Sequence, residues 1–142
     1  MSTDTKAQLL HVRTGGCLCG AVRCQVTGPP LHVYVCHCDS CRRATGSVMV
    51  AWGTWPAARL AIRAGALAGF ESSPGVTREH CARCGTSITY RNRSCPGEVD
   101  LTLASLGDPP DLVPTAHIWV ADRVPWLLLN DGLPQYAGSA AG

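Results

Sequence analysis

Nine cysteines in 142 residues, seven of them gathered into three short clusters, constrain this chain more than any other feature. The clusters are Cys17-Leu18-Cys19, Cys36-His37-Cys38-Asp39-Ser40-Cys41 and Cys81-Ala82-Arg83-Cys84. An odd total does not suit a complete set of disulfides, and thiols stay free in a reducing compartment. Met1 to Leu10 carries no long apolar run and no cleavage pattern. No stretch approaches the ~18 apolar residues of a membrane span. We therefore expect a soluble, cytoplasmic protein without a membrane partner, whose clustered cysteines are metal ligands.

Zinc takes four ligands in a tetrahedron, with Zn–S near ~2.3 Å. Two cysteines separated by two residues can wrap one metal, because the turn points both sulfurs inward. Gly85, directly after Cys84, supplies backbone freedom for such a turn. The cluster sizes decide the grouping. Pairing the two doublets gives Cys17, Cys19, Cys81 and Cys84, a closed structural site. The triplet Cys36, Cys38 and Cys41 then stands alone with one position open, as catalytic zinc sites do. Joining the triplet to one doublet would strand the other. Two zinc ions are thus expected, one structural and one open. The alternative is a second structural zinc, closed by His37 or His117. His37 lies between two ligands, a position that points its side chain away from the metal. His117 suits a strand position or a hydrogen-bond donor.

The composition suits a compact core: 46% hydrophobic residues and 15% charged. Frequent glycine and proline with short apolar runs predict strands and turns. Strands are expected at 20–26, 31–35, 47–52, 59–63, 67–71, 76–80, 87–91 and 99–103, and His117 to Val120 is a further apolar stretch. Ser72-Ser73-Pro74-Gly75 reads as a hairpin turn, and Asp108-Pro109-Pro110 as a loop. In 20–26 the alternation puts Val22, Cys24 and Val26 on one face. The helical candidates are short: 38–45, and one turn around 55–59. Trp126 to Leu129 closes the apolar set. Residues 1–13 read as a flexible lead-in, 14–137 as a single zinc-binding domain and 138–142 as a tail.

The formal charge is +2. Seven zinc-bound thiolates would subtract seven and two Zn²⁺ would add four, leaving −1. That balance argues against a nucleic-acid partner.

Three segments in order resemble a known family: Gly15-Gly16-Cys17-Leu18-Cys19-Gly20-Ala21-Val22, then 36–43, then Cys81-Ala82-Arg83-Cys84-Gly85-Thr86. They are similar to the glutathione-dependent formaldehyde-activating enzyme (GFA) family. The tail His117-Ile118-Trp119-Val120 and the stretch 126–134 resemble it too, so the likeness spans about 14–137. It implies a mainly β fold, the β-tent, of coiled antiparallel sheets stapled by zinc. It also implies the ligand grouping reached above. The activity it implies is carbon–sulfur bond formation or cleavage, in which glutathione and formaldehyde give S-hydroxymethylglutathione. His80 departs from the bulky apolar residue common there, which bears on local packing.

The expected function is therefore a zinc-dependent carbon–sulfur lyase acting on an adduct of glutathione, or another thiol, with an aldehyde. The expected catalytic residues are Cys36, Cys38 and Cys41, which hold the open zinc. Arg42 and Arg43 follow at once and are candidates for holding glutathione carboxylates, because a guanidinium matches a carboxylate bidentately. The alternatives are a non-catalytic glutathione carrier or sensor and a structural zinc module. Methionine sulfoxide reduction would need a reactive cysteine, for which Cys95 is the loose candidate. Cys95 otherwise reads as a free surface thiol and Cys24 as a small buried hydrophobe. Trp52, Trp55, Trp119 and Trp126 read as core or rim residues, and Asp131 as a turn residue. A monomer or a homodimer is expected.

Overall fold

The computed structural model describes residues 3–107 and 111–140. The loop expected at Asp108-Pro109-Pro110 lies outside them. A short helix, α1 (Thr3–Leu10), leads into β1 (Val12–Gly16), which pairs antiparallel with β2 (Arg23–Thr27). β2 pairs in turn with β5 (Leu60–Ala64), completing a three-stranded sheet.

The larger sheet has seven strands. They are β3 (His32–Cys36), β4 (Val50–Pro56), β6 (Leu67–Ser73), β7 (Val76–Cys81), β8 (Ser87–Asn92), β9 (Glu98–Thr102) and β10 (Ala116–Ile118). Their order in space is β10-β3-β4-β9-β8-β7-β6, antiparallel apart from the β10–β3 edge. A second helix, α2 (Asp39–Thr45), bridges β3 and β4.

The architecture is mainly β, as the sequence predicts. Two elements were not legible. The helix α1 has no marked apolar stripe, and β1 ends in Thr14-Gly15-Gly16, a poor strand sequence. The strand forms there because glycine lets two backbones approach. A Cβ on Gly15 would lie 1.9 Å from the Ser105 carbonyl oxygen. The contact carries an isolated bridge between Gly15 and Leu106, and Gly107 N–H donates to Thr14 O at 3.0 Å.

The core fills the space between the two sheets. Cys24 and Val26 of β2 and the adjacent Val22 meet Trp55, Ile88 and Leu101 of the large sheet. Cys24 is buried there as a small hydrophobe. Trp55 is fully enclosed; its ring N–H donates to Gly28 O at 2.9 Å. Gly53 leaves room for that ring, which a Cβ would meet at 2.5 Å. The stretch 126–129 does not join the core: Trp126 and Leu128 are 70% and 83% exposed. No helix among the described residues is long and apolar enough to cross a membrane.

Trp55 is therefore expected to anchor the fold. Trp55→Ala should lower unfolding stability by ~3–5 kcal/mol, through the lost aromatic burial and the cavity left behind. Urea denaturation followed by circular dichroism measures it.

Candidate metal centres and cavity

The first cluster assembles where the two sheets meet. Cys17 and Cys19 follow β1 directly, Cys81 ends β7, and Cys84 lies in the turn after it. The four sulfurs lie within 4.8 Å of one another. Cys17–Cys19 is 3.6 Å and Cys19–Cys81 is 3.9 Å. A tetrahedral zinc with ~2.3 Å bonds sets its sulfurs ~3.8 Å apart, so this cage fits zinc. Backbone N–H groups point at the sulfurs: Val22 to Cys17 at 3.2 Å, and Arg83 and Cys84 to Cys81 at 3.3 Å each. Such donors stabilise thiolates. Gly85 takes φ +82°, the left-handed conformation that the tight turn requires.

The second cluster straddles the end of β3 and the start of α2. Cys36, Cys38 and Cys41 also lie within 4.8 Å of one another. Cys38 is the N-cap of α2, and its sulfur accepts from Cys41 N–H at 3.2 Å. The helix thus uses one ligand to orient another. Gly46, in the left-handed region, closes the helix with its N–H on Arg42 O. Hydrogen bonds from Cys36 and Cys38, then the charge and hydrogen bonds of Arg78, hold the Cys41 thiol down at about 2, against burial. Sharing with Cys38 and Cys41 pushes the Cys36 thiol far up. The same sulfurs that favour one thiolate thus keep its neighbour protonated, an arrangement a cation would relieve.

Arg78 on β7 completes this cluster from the far side. It is buried, and both terminal guanidinium nitrogens donate to Cys41 Sγ at 3.6 Å. Its Nε donates to Ser72 Oγ at 3.0 Å, and its guanidinium stacks over the Tyr90 ring. A buried guanidinium keeps its charge, so it offsets part of the negative charge that three thiolates bring.

Behind the triplet runs a chain of polar side chains. The fully buried His37 shares a 2.8 Å hydrogen bond, Nε2 to Nδ1, with the buried His117. His117 Nε2 in turn reaches Asp131 Oδ2 at 2.7 Å. Burial, then the proximity of His117, holds His37 below the usual imidazole range, so it is neutral at pH 7. Neither imidazole belongs to the cluster of potential ligand atoms. Asp131 is the turn residue expected, its Oδ1 accepting from Leu133 N–H, and it also orients His117.

The triplet opens into a cavity of about 340 Å³. Its walls include Tyr34, Trp52, Tyr90, Arg78 and Asp100, with Trp119 at the rim. Trp119 is the one non-glycine residue among those described with positive φ, at 56°. Strain of this kind gathers at ligand sites. Burial pushes the Asp100 carboxyl up to about 6, against a 2.6 Å hydrogen bond from Thr54 Oγ1. The cage around Cys17 does not line this cavity.

The family model described as glutathione-dependent formaldehyde-activating enzyme matches residues 12–122. This chain belongs to the GFA family. Among solved structures, a Rhodobacter sphaeroides protein is similar at TM-score 0.56 and 22% identity. The match covers 87% of this chain and 98% of that one, and supports the fold. Membership in the GFA family agrees with the order of the three cysteine motifs and with two clusters able to hold metal.

The remaining residues singled out in the sequence fall on either side of the cavity. Arg42 and Arg43 both pair with Asp39, at 3.4 and 3.0 Å, and neither lines the cavity, although Asp39 does. Cys95 is an exposed thiol next to Ser94. Trp52 is a cavity wall and Trp55 is core. Sequence reasoning missed Arg78 and Asp100. Arg78 sits mid-strand on the same face as Val76, and Asp100 lies mid-strand between Val99 and Leu101. A charge in such a place is the signal that could have found them.

Two predictions follow from this geometry. Cys19→Ser should lose one metal and lower thermal stability, whereas Cys38→Ser should lose one metal yet keep its fold, since a serine still caps α2. Native mass spectrometry and thermal melts read both. Arg78→Met should weaken metal retention at the triplet about 10–100-fold while leaving the other cage intact, as losing an outer partner of a metal site does. Competition with a graded chelator measures it.

Proposed function

We propose that the protein is a zinc-dependent carbon–sulfur lyase acting on an adduct of glutathione, or a similar thiol, with an aldehyde, such as S-hydroxymethylglutathione. The observation that carries this reading is the opening of the three-cysteine cluster, and not the four-cysteine one, into the cavity. A cage with four protein ligands has no vacancy, whereas three thiolates leave one coordination position for a substrate atom. The volume of about 340 Å³ lies within the range of small-molecule sites.

In this proposal Cys17, Cys19, Cys81 and Cys84 hold a structural zinc, and Cys36, Cys38 and Cys41 hold a second. Bound zinc supplies one thing: it keeps a coordinated substrate sulfur as a thiolate at neutral pH. The protein's own residues do the rest. Arg78 offsets the charge that a fourth thiolate would add. The α2 cap fixes Cys38 against Cys41. The His37–His117–Asp131 chain holds the segment that carries Cys36 and Cys38. Tyr34, Trp52, Tyr90 and Trp119 wall off water. Cleavage breaks the carbon–sulfur bond, leaves the electron pair on sulfur and releases the hydroxyl proton as the aldehyde forms. Arg42 and Arg43 stand beside the mouth as carboxylate partners, a role that requires them to leave Asp39. All nine cysteines are free, which fits a reducing cytoplasm.

The zinc-loaded protein should accelerate cleavage of S-hydroxymethylglutathione saturably above the spontaneous rate, and Cys38→Ser should return the rate to background. Trapping released formaldehyde in a continuous assay reads this. Glutathione binding without acceleration would make the protein a thiol carrier instead.

A further inference from the structure

The register of the large sheet places five side chains in one cross-strand row. His32 on β3 faces Thr54 on β4, Thr54 faces Asp100 on β9, Asp100 faces Tyr90 on β8, and Tyr90 faces Arg78 on β7. All five line the cavity that holds the triplet. The row has opposite charges in it. Arg78 is committed to Cys41 and Ser72. Asp100, two strands away, accepts from Thr54 and forms no ion pair among the described residues. The cavity therefore has a sulfur-binding side that carries a guanidinium and, two strands away, a carboxylate with no cation of its own.

Aromatic surface surrounds that carboxylate. His32 stacks on Tyr34 at 4.6 Å, and Trp52 lies 5.9 Å from Tyr90. Carboxylate and π faces together suit an ammonium group. A second cavity, of about 460 Å³, shares His32, Tyr34, Tyr90 and Asp100, so the space continues past the carboxylate. Two strand spacings of ~4.8 Å separate Arg78 from Asp100, a span of ~10 Å. Free cysteine, whose amine and sulfur sit on adjacent carbons, is too short to bridge it. A thiol peptide with its amine one extended residue or two beyond the sulfur reaches, at ~3.5 Å per residue plus the side chain.

We propose that Asp100 is the specificity-determining residue of this cavity, receiving the ammonium group of a peptide-sized thiol whose sulfur lies at Cys36, Cys38 and Cys41. The proposal rests on the triplet being the thiol site. It assigns the far end of that site, and it makes the cavity selective for thiols with a free amine at the right reach.

The test is calorimetric binding to the zinc-loaded protein. The ligands are glutathione, its desamino analogue glutaryl-cysteinyl-glycine, and the S-methyl form of each. Asp100→Asn keeps an oxygen for Thr54 and removes only the charge. Should asparagine not be accommodated, Asp100→Ser offers Thr54 a hydroxyl and reads the same difference. Wild type should bind glutathione about tenfold more tightly than the desamino analogue, the scale of one charged hydrogen bond. The variant should bind both alike, with desamino affinity unchanged from wild type. The proposal is overturned if wild type shows no preference for the amine, or if the variant retains it. When both thiols nonetheless outbind their S-methyl forms, the triplet remains the thiol site and only the role of Asp100 falls. If S-methylation changes nothing while the amine preference still depends on Asp100, the carboxylate keeps its role and the thiol reading fails.

Discussion

The convergence of Cys17, Cys19, Cys81 and Cys84 is the constraint on which the rest of the structure depends. It joins the end of β1, in the small sheet, to the end of β7, in the large one. Leu18 N–H reaches Thr86 Oγ1 across the same junction at 3.1 Å. The core between the sheets is modest, built around Trp55, Ile88, Leu101 and the β2 side chains. A metal held by all four would link positions more than sixty residues apart and remove much of the freedom that such a chain must lose on folding. With the sheets held at that corner, the small sheet covers one face of the large sheet. The opposite face is left to form a cavity.

That cavity is a product of register. Antiparallel pairing of β3, β4, β9, β8 and β7 brings Cys36, Tyr34 and His32 into line with Trp52, Thr54, Asp100, Tyr90 and Arg78. A slip of one residue on any strand would turn its contribution into the core. Arg78 would then be a buried charge without a sulfur, and Asp100 one without Thr54. The buried polar groups thus penalise wrong registers even where their net contribution to stability is small.

The two cysteine clusters differ in what surrounds them. Around the closed cage the partners of sulfur are chiefly backbone N–H groups and the Thr86 hydroxyl. Around the triplet they include a guanidinium, and a chain of imidazoles and a carboxylate holds the adjoining backbone. Neutral donors suit a site that only has to persist. A fixed positive charge suits one that must tolerate a further anion. The difference is the one that the proposed function requires, with a structural first cluster and a substrate-facing second.

Much of the site was legible in the chain. Cysteine counts grouped the seven residues as the fold does, because joining the triplet to either doublet would strand the other. Period-two alternation marked 20–26, short apolar runs between turn residues marked most other strands, and the turn at 72–75 and the helix after Cys38 carried their own local chemistry. The strand 12–16 was not legible, since its glycines act by letting another segment approach rather than by any propensity of their own. The tail 126–129 misled because apolarity alone does not say which surface is covered. The sequence by itself determined the cysteine clusters able to hold metal, through their local spacing, and the fold class and the family, through its turn residues, short apolar runs and ordered motifs. Only the tertiary structure decided that Arg78 meets Cys41, that Asp100 shares a cavity with the triplet, and that His37 reaches Asp131 through His117. Those contacts join strands and loops through long-range pairing, and no local pattern encodes which residue will lie opposite which.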